Sequence, residues 1–183
     1  FADVLRGEEL ISNCIVSTER GVDVVTFGRE MFPNTADIKE QQTILIQAWN
    51  WLDEQYDFVI IDTPPAINNT NRAIFSLSDG IIVPVMASRF DLEGFITLFD
   101  EVRTYGGNVF EVVFSKIKKR NNTEKKICDI IRNGNFAKIS KGVIYDNNSI
   151  ENCTSNGKTL SEYYKKGCEP FEILADEIIK YKA

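Results

Sequence analysis

The hydrophobic pattern of this chain switches repeatedly between a strand-like and a helix-like period. Residues 22–27 form a short apolar run after the Glu19-Arg20-Gly21 turn and read as a strand. Over residues 37–55 the spacing becomes helical. Ile38, Leu45, Trp49 and Leu52 fall on one face, with Asp37 near the start. Then Phe58-Val59-Ile60-Ile61 runs without alternation into Asp62. Strands buried on both faces look like this, and they belong to parallel sheets. Residues 80–85 form a second such run, with Pro84 near its end. Asp91 is the expected N-cap of a helix through Arg103, with Leu92, Phe95, Leu98 and Phe99 inward. Residues 109–114 make a third strand, entered from the Gly106-Gly107-Asn108 turn. Residues 123–132 make a short helix with Ile127, Ile130 and Ile131 apolar, and residues 142–145 a last short strand. Pro170 opens a final helix whose stripe is Phe171, Leu174, Ile178 and Tyr181.

Alternating β and α elements with buried strands predict an α/β fold: a doubly wound, mostly parallel sheet flanked by helices. No repeat, low-complexity tract or Pro/Gly-rich linker breaks the pattern, so residues 1–183 read as a single domain. Hydrophobic residues make up 43% and charged residues 26%, as in ordinary globular proteins. No apolar run approaches the roughly 20 residues needed to cross a bilayer.

Composition removes some chemistries. There is no histidine, so His-dependent triads are excluded. Cys14, Cys128, Cys153 and Cys168 lack the spacings of a structural zinc site and read as reduced thiols of a cytosolic protein. Charge is unevenly spread. Residues 1–62 hold 4 basic and 12 acidic side chains, a balance of −8, whereas residues 116–183 hold 14 and 9, a balance of +5. That asymmetry hints at an anionic partner for the carboxy-terminal third.

The sharpest chemical feature is Asp62-Thr63-Pro64-Pro65 at the end of the first apolar run. Open α/β sheets bind ligands outside the carboxyl ends of their strands. A carboxylate there can hold Mg²⁺, directly or through water, against nucleotide phosphates. It can equally cap the next helix or close a turn. Gly157-Lys158-Thr159 has the ending of a phosphate-binding loop, but the glycine required five residues earlier is Asn152. A turn is the better reading. Lys116, Lys118, Lys119, Arg120, Lys125 and Lys126 form the densest basic cluster. They read either as contacts to DNA phosphates or as a solvated loop and helix start.

Several motifs in order resemble one family. Asp62-Thr63-Pro64-Pro65 is followed by a polar, helix-like stretch to Ala73-Ile74-Phe75. Then come Val83-Pro84-Val85, Leu92-Glu93-Gly94, Gly142-Val143-Ile144, Ser155-Asn156-Gly157-Lys158 and Glu162-Tyr163. Asp3-Val4-Leu5-Arg6-Gly7 looks like the short helix after that family's first switch. Together they resemble the ParA/MinD group of deviant Walker A P-loop ATPases, of ParA/Soj partition type, over nearly the whole chain.

The resemblance implies a P-loop NTPase-like fold and ATP-dependent partitioning of plasmid or chromosome DNA. ATP would drive a homodimer that binds DNA without sequence preference, and a ParB-like centromere-binding protein would stimulate hydrolysis. Asp62 would be the Walker B acid and hold Mg²⁺ through water. Thr63 and Pro64 would begin the second switch. Ser115, Lys116 and Asn147 would lie near the nucleotide, and Lys116 to Lys126 would supply DNA contacts. The implied location is cytoplasmic and nucleoid-associated, with no membrane partner.

The sequence departs from the family in two places. The Walker A loop is absent. It is expected, with the first switch, upstream of Phe1, so the chain alone is expected to be inactive. Tyr145-Asp146 stands where many relatives have Pro-Arg near the adenine, which puts those contacts in doubt. Two alternatives remain: a MinD-like or secretion/positioning ATPase acting on a membrane or protein partner, or a degenerate, non-catalytic binding module. The last segment has only Lys180 and Lys182 against Glu172, Asp176 and Glu177, unlike a lipid-binding basic helix.

Overall fold

The longest helical period in the sequence becomes the longest helix. A computed structural model describes residues 2–26, 38–64, 67–118 and 120–182, with backbone alone for 38, 40, 41, 89 and 90. In chain order the elements are α1 (Ala2–Leu5), β1 (Ile15–Ser17), β2 (Asp23–Val25), α2 (Ile38–Gln55), α3 (Asn69–Leu77), β3 (Ile81–Val85), α4 (Arg89–Thr104), β4 (Val109–Phe114), α5 (Asn122–Asn133), β5 (Lys138–Ile139), α6 (Asn148–Ser155), α7 (Leu160–Tyr163) and α8 (Glu169–Lys182). The chain divides into two compact units: residues 1–79 with 104–107, and residues 80–103 with 108–183.

In the first unit α2 packs on α3. Leu45 and Ala73 are fully buried there, with Leu5 and Ile74 beside them and Ile61 packed against the cluster. Gln42 Nε2 donates to Ser76 Oγ at 2.8 Å and joins the two helices across their rim. Trp49 and Leu52, two further expected positions of α2, pack in a neighbouring cluster with Val4 and Ile11, and the side chain of Ile38, the remaining one, lies outside what is described. The expected strand at 22–27 is β2, and it pairs antiparallel with β1 in a hairpin that the hydrophobic pattern does not reveal. The expected cap Asp37 and the end of the strand at Phe27 lie outside the described residues.

Residues 58–62 correct the expectation of a buried strand. They join neither sheet, and Phe58, Val59 and Ile60 are 46, 46 and 80% exposed. An apolar run becomes an interior strand only where neighbouring strands bond its backbone and cover both faces. No ladder among the described residues does that for 58–62.

In the second unit β3, β4 and β5 form a parallel sheet in that order, with helices packed against it. The α/β class with a parallel sheet is therefore as the sequence predicts. Val83, Val85, Val112 and Phe114 meet Phe95 of α4 and Ile127, Cys128 and Ile131 of α5 in one core. Phe136 sits edge-on to Phe95 and Phe99, with centroids 5.3 and 5.4 Å away.

Ile81 N donates to Asn108 O and Val85 O accepts from Ser115 N. The odd-numbered residues of β3 thus face β4. Pro84 falls between them and points its missing N–H to the outer side, where it removes no ladder bond among the described residues.

Four details differ from what the sequence predicts. Ser88, not Asp91, caps α4: Asp91 N donates to Ser88 Oγ (3.1 Å) and Ser88 N donates to Asp91 Oδ2 (3.0 Å). This reciprocal pair places Asp91 three residues inside. Cys128 replaces Ile130 on the buried side of α5, because 127, 128 and 131 share one face while Ile130 turns outward. Residues 142–145 make a single parallel bridge, Tyr145 to Ile117, rather than a strand, and β5 is an element the pattern does not announce. Phe171 and Tyr181 flank the inward stripe of α8, which also includes Glu177.

Among the described residues no helix is long and apolar enough to cross a membrane.

Candidate functional site

The site residues expected from sequence fall in both units, and each group is built locally. In the first unit, Ile61 packs into the α2–α3 core and the next residue, Asp62, is exposed. Packing of the one thus fixes where the other emerges. Thr63 is half-buried and Pro64 exposed. Asn68 caps α3 by accepting from Asn71 N, and Asn71 Nδ2 donates to Pro64 O at 3.2 Å. Asn71 is only 4% exposed. A buried amide must find partners, and here it fastens the helix start to the chain just past Asp62. Sequence reasoning does not single out Asn71. Its one signal is the Asn68-x-x-Asn71 spacing of a side-chain cap.

In the second unit, the carboxyl ends of β3 and β4 carry two non-glycine residues with left-handed backbone. These are Ala87, at φ 56°, and Lys116, at φ 53°. Such geometry costs about 1–2 kcal/mol per residue, and it persists only where the surrounding structure over-determines the backbone. Ala87 is completely buried, whereas Lys116 is exposed.

The Lys116 turn is a bulge. Ile144 N donates to Phe114 O (2.9 Å), Ile117 N to Ile144 O (3.2 Å), and Asp146 N to Ile117 O (3.1 Å). Ser115 and Lys116 stand out between these bonds, opposite Ile144 alone. Bulges next to sites re-aim side chains in this way. Ser115 N also bonds Val85 O across to β3. Asn147 caps α6, its Oδ1 accepting from Ser149 N at 2.9 Å. The structure therefore gathers Ser115, Lys116 and Asn147 around one edge. No sequence signal marks Ala87, since left-handed residues are usually glycine.

Gly157-Lys158-Thr159 is a turn, as its sequence context predicts. Gly157 takes φ 63° after α6, and Thr159 caps α7 in a capping box with Glu162. Lys116, Lys118, Arg120, Lys125 and Lys126 are all exposed, on the loop after β4 and the first turns of α5. Lys118 N donates to Glu124 Oε2 at 2.7 Å, which ties that loop to the helix. Lys119 lies outside the described residues.

Each group, taken by itself, suits one part of a magnesium nucleotide. Asp62 offers hard carboxylate oxygens in water's reach, which suits Mg²⁺ held through its own waters. The β3–β4 edge suits a ligand at strand ends. A glycine-rich phosphate cradle is absent from the sequence.

Comparison with known proteins agrees with the motifs. The family described as AAA domain matches residues 2–111. A "ParA family protein" of Mycoplasma genitalium is 22% identical over 180 residues, covering 93% of this chain and 64% of that protein. The sporulation initiation inhibitor protein Soj of Bacillus subtilis is 25% identical over 142 residues, covering 73% of this chain and 56% of Soj. The chromosome partitioning protein ParA of Caulobacter vibrioides is 25% identical over 191 residues, covering 97% and 72%. The chain thus spans less than two thirds of the first two relatives. With more than half of its residues inside the family match and relatives of this kind along its motifs, the chain belongs to the AAA-domain family, in the ParA-type partition ATPase group.

Proposed function

We propose that the whole protein is a ParA-like ATPase that partitions DNA. What supports this is the run of Asp62-Thr63-Pro64, Val83-Pro84-Val85 and Leu92-Glu93-Gly94, all inside the matched stretch. On this reading ATP and Mg²⁺ bind at the strand ends. Asp62 holds the metal through water, and Thr63 and Pro64 transmit its state to α3 by way of Asn71. By the family resemblance Ser115, Lys116 and Asn147 are also nucleotide contacts. The phosphate cradle comes from residues that precede Phe1 in the whole protein, so that the two form one nucleotide-binding domain. ATP then promotes a homodimer, the basic loop from Lys116 to Lys126 contacts DNA phosphates, and a ParB-like protein triggers hydrolysis. A protein of this kind works in the cytoplasm on the nucleoid.

The test compares this chain with the protein carrying its upstream sequence. The longer protein should hydrolyse ATP slowly in the presence of Mg²⁺, faster with DNA and the partner, and lose that turnover on Asp62→Ala. The chain alone should show no turnover above buffer, because positioned phosphate contacts carry this chemistry. Turnover by the chain alone, or none by the longer protein under any condition, would sink the reading.

A further inference from the structure

We propose that the groove between α1 and α2 is a docking site for a short amphipathic helix of a partner protein, one that carries lysine or arginine beside its apolar stripe. This goes beyond the ATPase reading and does not rest on it. Ile44, Gln47, Ala48 and Trp51 of α2 stand at i, i+3, i+4 and i+7, and this stripe lines the groove. Val4 of α1 and Ile11 line it too, and with Ala48 they are buried in one cluster. The loop from Gly7 to Leu10 completes the lining together with Ser12. Gly7 takes φ 69°, and Gly7 N and Glu8 N donate back to Val4 O and Asp3 O, both at 2.9 Å. This left-handed turn ends α1 and frees the loop to run on beside α2. The groove holds about 420 Å³, within the roughly 300–1,000 Å³ of ligand sites.

Two features choose the occupant. The first is an apolar rim. Leu10 is 70% exposed, and Ile44 and Trp51 are half-buried. A helix that lays its own stripe into the groove would cover all three. Residues 44–51 span about 10 Å of helix axis, the length of two turns of such a partner. The second feature is charge. Glu8 and Glu9 line the groove, and among the described residues no basic side chain does. Glu8 already accepts from Arg6 Nε at 2.8 Å. Asn13 Nδ2 (2.7 Å) and Leu10 N (3.0 Å) both donate to Glu9 Oε1, which fixes that carboxylate and holds its pKa below the usual range. Glu9 Oε2 accepts from none of the described residues. The wider field has the same sign, since residues 1–62 balance to −8. An acidic segment meets repulsion here, whereas a lysine or arginine beside the apolar stripe gains an ion pair at the rim.

The experiment uses the protein with its upstream sequence. The probe is a short fluorescein-labelled peptide of leucine and lysine, with leucine at helical spacing, beside a counterpart with glutamate in place of lysine. Anisotropy at about 0.15 M salt gives Kd. The lysine peptide should bind saturably and the glutamate peptide should not. Amide exchange in the complex should slow at residues 7–12 and 44–51. Glu9→Lys should weaken binding roughly fivefold. Glu19→Lys makes the same charge change at an exposed acid outside the groove and should weaken it less than about twofold. Leu10→Ala should weaken it roughly tenfold. All three side chains are exposed, and unchanged urea midpoints would verify that the variants fold. Binding of neither peptide, equal binding of both, protection elsewhere, equal effects of Glu9→Lys and Glu19→Lys, or no effect of Leu10→Ala would each overturn the inference. None of these results bears on ATP turnover, so the ATPase reading stands or falls separately.

Discussion

Lys138 Nζ lies 2.7 Å from Oε1 of Glu111, a side chain with no exposed surface in the middle of β4. The same ammonium is 3.7 Å from Glu177 of α8, whose other oxygen accepts from Ser140 Oγ at 2.7 Å. One cation thus stands between two carboxylates and links β4, β5 and α8. Tyr181 adds to the link by lying on Phe110, centroids 4.3 Å apart, with its hydroxyl accepting from Asn108 Nδ2.

Removing the cation should be costly. Lys138→Ala leaves Glu111 buried with no positive partner and Glu177 facing it. Breaking a buried pair costs about 3–5 kcal/mol. Half of the Lys138 side chain is in water, which screens the interaction, so the expected loss is about 1–3 kcal/mol. Adding Glu111→Gln should recover most of it. The urea midpoints of the two variants and the double variant provide the measurement. Simple additivity would refute the coupling.

The same site sets a pH dependence. Burial pushes the Glu111 carboxyl above its usual range, although Lys138 partly offsets the rise and Glu177 adds to it. A carboxyl whose folded-state pKa is raised contributes stability below its unfolded value and loses it as pH climbs through the folded one. Glu177 has the opposite sign. Burial would raise it, but the Ser140 hydroxyl, the Lys141 N–H and Lys138 together hold it low. Its contribution is present above the unfolded value and is lost as pH falls through the folded one. Glu111→Gln should therefore become more stable relative to the parent as pH rises from about 4 towards neutral. Urea titrations at several pH values test this, and a difference that shrinks with rising pH would contradict it.

Gly142 gives a steric prediction. A Cβ there would sit 2.4 Å from the carbonyl oxygen of Pro170, at the start of α8. That neighbour is backbone and cannot turn aside. Gly142→Ala should cost about 1–3 kcal/mol, as overpacking does. It should also loosen α8, so that trypsin cuts at Lys180 sooner than in the parent. Unchanged stability would mean that the helix start can shift at no cost.

The basic loop gives a prediction about DNA. In the protein with its upstream sequence and ATP, neutralising Lys118, Arg120 and Lys125 should weaken binding to all duplexes alike. The slope of log affinity against log salt should flatten by up to roughly 0.9 for each phosphate that is no longer neutralised. Stability should change by less than about 0.5 kcal/mol, since these side chains are exposed. Unaltered affinity and slope would make the cluster a solvated face.

How much of this is legible in the sequence depends on whether the signal is local. β3, β4 and α2 are readable because their patterns are long and unmixed. The run at 58–61 announces a need for burial, but a sequence pattern cannot supply the strands that would meet it. Glu111 is invisible as a buried acid. Within Val109-Phe110-Glu111-Val112-Val113-Phe114 it reads as a solvent-facing position, and its partner Lys138 is 27 residues away by the numbering. The edge residues Ser115, Lys116 and Asn147 come from the family resemblance, and their shared location is a matter of backbone bonds to residues 144–146. The bulge itself has no glycine to betray it.

Pro84 has a consequence for the behaviour of this sheet in a crowded solution. Among the described residues β3 forms one rim of the sheet, and on that rim Ile82 can both give and take a hydrogen bond, while Pro84 can only take. A strand arriving from another molecule would find the donor at position 84 missing and would leave a carbonyl of its own unmet. Such a rim is a poor template for endless edge-to-edge growth. The rim still admits one well-matched neighbour, whose register is limited to alignments that ask nothing of position 84. The missing donor of one pyrrolidine ring is what sets that limit.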